Sequence, residues 1–496
     1  MSDDLKARIG RLNDVLCAVN TLNWDARTQM PGGGAQTRGH QVATLMGLAR
    51  DMILDPAMQD AVHAAKGDPA AAAVQAAIDH HARLPADLLR AQAEHATVAG
   101  AAWARARAAS DFSLFQPHLE KVVSFARESA LALGHEGHSY DPMVQIYEPG
   151  ETAASLAAVF DRLRAGILPI LGAARDRQPP RTDFLYRDYP PELQQRFAAQ
   201  TARALGYDFE RGRLDTAVHP FEVSFTRNDV RITSRWTRNY LPMSIFGSIH
   251  EVGHALYEQG IDPVHTRGAF ATDMIGLYAV GGTSFGMHES QSRLLENHVG
   301  RTAAFWAVHF PRLRDTFPEQ LADVSEAEFV SAINRVEPGP IRVEADELTY
   351  DLHIMLRVRI EMALMEGALQ VADVPHVWRE AMRDDLGVEI TDDAQGCLQD
   401  VHWSSGYIGS FPTYTIGNMT AAALMAHFEE EKPEIRRALD HADTAPLRVA
   451  LGESVWQHGR SKTRAELLAA LGLSANDPEP YLSYLGRKFG ASPLIA

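Results

Sequence analysis

The chain has 496 residues, a formal net charge of −17 and 46% hydrophobic residues, the make-up of a soluble protein with a sizeable core. Its acidity excludes nucleic acid as a general partner and opposes binding to anionic membranes. No apolar run approaches the ~20 residues of a membrane span, no basic segment leads into an apolar core at the N-terminus, and Cys17 and Cys397 cannot frame a disulfide network, so a cytoplasmic protein is expected.

In chain order, the first third reads as helices. Leu5, Ile9, Leu12, Leu16 and Val19 recur at helical spacing up to Trp24. Pro31-Gly32-Gly33-Gly34 marks a turn, and 40–52 resumes a helix. Ala-rich 70–81 and 91–109 favour helix through low side-chain entropy cost, and Asp111 is placed to cap a helix over 112–133. The strand signals lie in the middle. Phe221–Phe225 and Val230–Trp236 alternate, with a turn at 226–229, so a small hairpin is expected within 219–240. Such a hairpin could offer an edge to an extended peptide.

Ile245, Ile249, Val252 and Leu256 then give a buried helical face, with Gly260 as its stop. This helix carries His250-Glu251-Val252-Gly253-His254, an H-E-x-x-H. Histidines four apart project one turn apart from one face, so both imidazoles reach one metal ion. The intervening glutamate is placed to act on a water at that ion. The pattern implies a zinc peptide hydrolase.

A zinc site of this kind needs a third protein ligand and an open position. Glu289, read as opening a helix in Met287–Ser292, is the best candidate. His288 is its rival, or a substrate contact, and Glu258 and Glu296 are acidic neighbours in sequence. Further on, 349–368 reads as a helix, 405–417 as a Gly- and aromatic-rich loop over a cleft, and 465–471 and 481–489 as closing helices. No linker or repeat divides the chain, so one domain over 1–496 is expected.

Several separated motifs, in order, resemble the M32 family of metallocarboxypeptidases. His219-Pro220-Phe221 is similar to H-P-F, and Asp229–Thr233 to D-x-R-x-T. After the H-E-x-x-H come His288-Glu289-Ser290-Gln291, Ile341–Asp346 as I-R-x-x-A-D, and Gly396–Trp403 as G-x-x-Q-D-x-H-W. Asn23-Trp24-Asp25, Met30-Pro31-Gly32 and 111–121 are also similar, so the likeness runs over nearly the whole chain.

The resemblance implies a mainly α, zincin-like protein with a deep substrate groove and a small hairpin near the motif helix. It implies Zn2+, with Co2+ or Mn2+ as substitutes, on His250, His254 and Glu289, and Glu251 as general base and then acid. Arg342 would meet the free carboxylate of a peptide, its planar fork matching a carboxylate's two oxygens. His402, Tyr407 and Tyr414 would line the site near the scissile carbonyl. The reaction would be removal of single C-terminal residues with broad specificity, from peptides with a free C-terminus, by a homodimer.

Three departures from the family pattern stand out. The stretch between His254 and Glu289 is longer, and its 262–268 portion reads as a loop at the cleft rim. Ser410 replaces a tyrosine, and Arg359 an acidic residue. An oligoendopeptidase, a dipeptidyl carboxypeptidase or a silent zinc scaffold would share the motif helix. Product size, tolerance of a blocked C-terminus and the effect of Glu251→Gln separate them.

Overall fold

A computed structural model describes residues 2–490. It is 68% helical, with one small three-stranded sheet. The chain forms two compact units, each assembled from separated stretches: 1–81, 180–333 and 420–475 in the first, 82–179, 334–419 and 476–496 in the second. Among the described residues, no helix is long and apolar enough to cross a membrane.

The first unit holds the sheet. β1 (Leu214–Thr216) runs parallel to β3 (Asp229–Ser234), and β2 (Glu222–Thr226) runs antiparallel to it, in the order β1-β3-β2. The hairpin falls where alternation puts it, with a two-residue turn, Arg227-Asn228, rather than the four residues expected. β1 has no sequence signal of its own. Three residues are too few to alternate, and they are a strand because Leu214, Asp215 and Thr216 pair with Ile232, Thr233 and Ser234. The Ser224 and Phe225 carbonyls of β2 already accept from Asn20 Nδ2 and Cys17 Sγ, each at 2.8 Å, so neither is a vacant edge group for a peptide.

The motif helix, Leu241–Gly260, packs on β3, β2 and the helix Pro191–Ala204. Leu241, Ile245, Ile249, Val252 and Leu256 enter one apolar core with Val230, Ile232, Phe305 and Trp306. It is buried on nearly every side, as a helix in the core of a large unit is. It ends at Gly260, where a Cβ would lie 2.6 Å from the Trp456 ring.

Elsewhere in this unit, the N-terminal helices Asp3–Thr28, Ala35–Leu54, Pro56–Ala64 and Pro69–Arg83 form a second core from Leu5, Ile9, Leu12, Val74 and Ile78. The last of these runs to Arg83, just beyond the unit. Ala269, Met274, Leu277 and Ala279 join that core. The 262–268 portion is a mostly exposed loop, as expected, while the stretch from Ala269 onward is anchored by its apolar side chains, and two 3-10 turns, Pro263–His265 and Ala269–Ala271, carry the bends.

In the second unit, Asp111 caps a 3-10 turn, Phe112–Leu114, through the Ser113 N–H, and the helix begins at Gln116 instead of Phe112. The helix Tyr350–Glu366 forms as its pattern predicts. The 405–417 loop is shorter than expected. A helix starts at Pro412, because proline has no N–H to lose in a first turn and its φ is preset. Arg359 pairs with Asp385 at 2.8 Å, so its positive charge is answered locally. Ser410 Oγ donates to the Tyr407 carbonyl.

Candidate metal centre

Two helices build the centre in the first unit. The second, Phe285–Arg293, is capped by Ser284, whose hydroxyl accepts from the Met287 N–H. Glu289 therefore lies mid-helix rather than at its start, because Ser284 caps the helix a turn earlier. The helices meet closely at Gly253. A Cβ there would lie 2.4 Å from the Gln291 carbonyl oxygen and 2.5 Å from Ser292 Cα, so the motif's glycine is what lets the two backbones touch.

At that crossing, ligand atoms of His250, His254 and Glu289 all lie within 4.8 Å of one another. Glu289 Oε2 is 3.5 Å from His250 Nε2 and 3.3 Å from His254 Nε2. Two imidazole nitrogens and a carboxylate oxygen converging on one point are a donor set for a divalent ion.

The remaining polar atoms are held by neighbours. Glu289 Oε1 accepts from Arg293 Nε at 2.7 Å, and Oε2 from Ser292 Oγ at 3.2 Å. His250 Nδ1 meets Glu296 Oε2 at 3.0 Å, and Glu296 also takes Arg293 and Arg301. His254 Nδ1 meets His288 Nδ1 at 2.6 Å, and His288 Nε2 meets Glu258 Oε1 at 3.0 Å. In this arrangement Glu258, Glu296 and His288 sit behind the three converging residues, orienting them. Spacing hints at this: Glu258 is four residues after His254 and Glu296 seven after Glu289, so each acid lies on the face of its own helix that carries a converging residue and reaches across to a histidine of the other, His288 and His250. Glu296 lies in a π-helical turn, Leu294–Val299, a distortion that often marks functional sites.

Electrostatics follow burial. Glu251 is only 5% exposed, and burial pushes its carboxyl up to about 7 against the lowering pull of His250. Burial, with His288 and His250 nearby, draws His254 down to about 3, the neutral form that can ligate. Burial would raise Glu289, but His250, Arg293 and His254 outweigh it and hold the group well below the usual carboxylate range.

The substrate-contact candidates Arg342, His402, Tyr407 and Tyr414 belong to the second unit. Arg342 is not paired with Glu344 or Asp346. Its Nε and Nη2 donate to Asp400 Oδ1 at 3.0 and 2.7 Å, and its Nη1 to the Tyr350 hydroxyl at 2.9 Å. Arg357, fully buried, shares Asp400 through Oδ2. Burial would raise Asp400, but Arg357 and Arg342 hold it far below the usual range. His402 Nε2 lies 3.2 Å from the Tyr414 hydroxyl, and the Arg342 guanidinium stands over the Tyr414 ring at 5.2 Å. Tyr407 is 44% exposed, and its N–H donates to the His402 carbonyl at 3.0 Å. In the first unit, Arg231, the arginine of the D-x-R-x-T motif, is paired with Asp229 at 2.8 Å. Sequence reading missed Asp400 as the partner of both arginines, though the Gln399-Asp400 pair sits inside a quoted motif.

Comparison with known proteins agrees with this architecture. A family model described as carboxypeptidase Taq (M32) metallopeptidase matches residues 4–489. The chain is 34% identical to carboxypeptidase 1 of Bacillus subtilis, over 98% of this chain and 97% of the relative. It is 37% identical to thermostable carboxypeptidase 1 of Thermus thermophilus, over 94% of each. The crystal structure of an M32 carboxypeptidase from Deinococcus radiodurans superposes with a TM-score of 0.93 at 37% identity, covering 98% of both chains.

Proposed function

Because this chain belongs to the M32 family of metallopeptidases and is a peptide hydrolase, we propose that it is a zinc carboxypeptidase releasing single C-terminal amino acids with broad specificity. The observation that carries the reading is the convergence of His250, His254 and Glu289, with Glu251 buried on the same helix.

The donor set fits a divalent ion. Two nitrogens and one carboxylate oxygen leave a tetrahedral ion one position open, and imidazole with carboxylate suits zinc, while cobalt or manganese are substitutes. When bound, such an ion supplies Lewis acidity, which acidifies water and polarises a carbonyl.

The chain's own residues do the rest. Glu251 takes a proton from the attacking water and returns it to the leaving amine nitrogen. A carboxyl serves both halves of that exchange, accepting as a carboxylate and donating as an acid. Glu296 and Arg293 hold His250 and Glu289 in place while the carbonyl is attacked. For the free chain end we assign Arg342, whose guanidinium keeps N–H donors beyond those spent on Asp400 and Tyr350. His402, Tyr407 and Tyr414 are the candidates for the one donor that hydrogen-bonds the developing oxyanion.

Digestion of one peptide by zinc-loaded protein, followed over time by mass spectrometry, tests the reading. A ladder losing one residue at a time from the C-terminus, abolished when that terminus is an amide, is expected. Internal fragments or released dipeptides would overturn it.

A further inference from the structure

A histidine ligates a metal through one ring nitrogen, and the partner of the other decides where the ring hydrogen sits. His250 has a carboxylate, Glu296, for that purpose. His254 has another imidazole. We propose that Glu258 and His288 form a relay that fixes His254 in its metal-ligating tautomer and sets the affinity of the site for its ion. The proposal rests on the reading of His250, His254 and Glu289 as ligands.

The contact between the two imidazoles is an edge-to-edge hydrogen bond. The ring planes are inclined by 26° and the centroids lie 4.7 Å apart, close to the 2.6 Å Nδ1–Nδ1 separation extended by the two ring radii. Two nitrogens at that distance need one hydrogen and one lone pair between them.

Glu258 decides which nitrogen has the hydrogen. Its Oε1 accepts from the Gly282 N–H at 2.8 Å, and its Oε2 from the Gly281 N–H and Ser224 Oγ, each at 3.0 Å. A carboxylate saturated with donors in this way is an acceptor only. His288 Nε2, 3.0 Å from Oε1, must therefore carry its hydrogen toward Glu258. When each ring carries one hydrogen, this leaves His288 Nδ1 as a lone pair, His254 Nδ1 donates to it, and His254 Nε2 is left free beside Glu289. The opposite pattern would put a hydrogen on the ligating nitrogen.

The surrounding chain is shaped for this contact. Glu258 is on the motif helix, one turn beyond His254. A Cβ at Gly282 would lie 2.3 Å from His288 Cδ2, so a glycine is required for the ring to lie where it does. The Tyr257 ring flanks His288 at 5.5 Å, and the Tyr257 hydroxyl accepts the Thr283 N–H, holding the same segment. Glu222, the other nearby acid, is 3.9 Å from His288 Nε2 and outside hydrogen-bond reach. The long segment after His254 thus reaches the metal centre through Gly281 and Gly282.

The test uses the full chain, stripped of metal, with zinc titrated against a chromogenic competing chelator. His288→Ala is expected to weaken zinc binding by roughly 10- to 100-fold. His288→Asn, which returns an acceptor near Nδ1, is expected to recover most of that loss. Zinc binding by His288→Ala at wild-type strength, or by His288→Asn no tighter than by His288→Ala, would overturn the relay. Wild-type affinity in His254→Ala would overturn the metal-site reading and the relay with it, which keeps the two failures apart. Nitrogen NMR of 15N-histidine-labelled, metal-free wild-type protein, with His254 assigned by its loss in His254→Gln, needs no variant at position 288. It should show hydrogen on His254 Nδ1 and none on Nε2; the reverse pattern contradicts the proposal.

Discussion

Two buried charge clusters, one in each unit, are built to opposite ends. Around the metal centre the carboxylates of Glu258, Glu289 and Glu296 gather with the guanidiniums Arg293 and Arg301, and two imidazole nitrogens lie 3.5 and 3.3 Å from Glu289. In the other unit the single carboxylate of Asp400 answers both Arg342 and Arg357. On the proposed reading the first cluster offers its converging donors to a cation. The second has positive charge left over beside aromatic rings and calls for an anion. Buried charge costs several kcal/mol per ion unless it is compensated, so on the proposed reading each cluster serves to receive a partner, an ion in the first and a substrate carboxylate in the second.

That contrast can be broken in order of expected effect. Glu251→Gln should lower kcat/KM by roughly 10²- to 10⁴-fold while leaving zinc stoichiometry unchanged, since Glu251 moves protons and is not a ligand. Steady-state assays alongside metal analysis check both halves. Asp400→Ala strands two guanidiniums and should reduce stability by about 3–5 kcal/mol in denaturant unfolding, with zinc affinity retained. Gly253→Ala forces the two ligand-bearing helices apart, and should reduce stability by about 1–3 kcal/mol while also weakening zinc binding.

The smallest effect concerns pH. Glu361 accepts from Tyr140, Trp403 and Gly409, and burial lifts its carboxyl to about 7. Above the ordinary glutamate value of 4.5 the unfolded chain has released this proton while the folded chain still holds it. Its contribution is therefore full below 4.5 and is lost as pH rises to about 7. Thermal unfolding of Glu361→Gln, compared with wild type at pH 5 and 8, should show less loss at the higher pH.

Much of the chemistry was legible in the sequence because it is local. The four-residue spacing of His250 and His254 needs only a helix, and alternation in Phe221–Phe225 and Val230–Trp236 needs only an adjacent pair of strands. What escaped was long-range. β1 exists only through parallel pairing with β3. The partners of Arg342 and Arg357 lie far from them in sequence, at Asp400. Glu258 and Glu296 could be seen as acids near the motif, but whether an acid ligates or orients depends on which atoms face the crossing, and periodicity does not encode that. The division into two units made of interleaved stretches leaves no linker or shift in composition to read.

The most direct test of the central claim is a zinc titration of chelator-stripped protein by isothermal calorimetry, with peptide hydrolysis measured on the same samples. The account predicts one equivalent bound per chain with activity restored in step, and loss of both in His250→Ala, His254→Ala and Glu289→Ala. Full-strength zinc binding in those three variants, or hydrolysis undiminished in stripped protein without added metal, would contradict it.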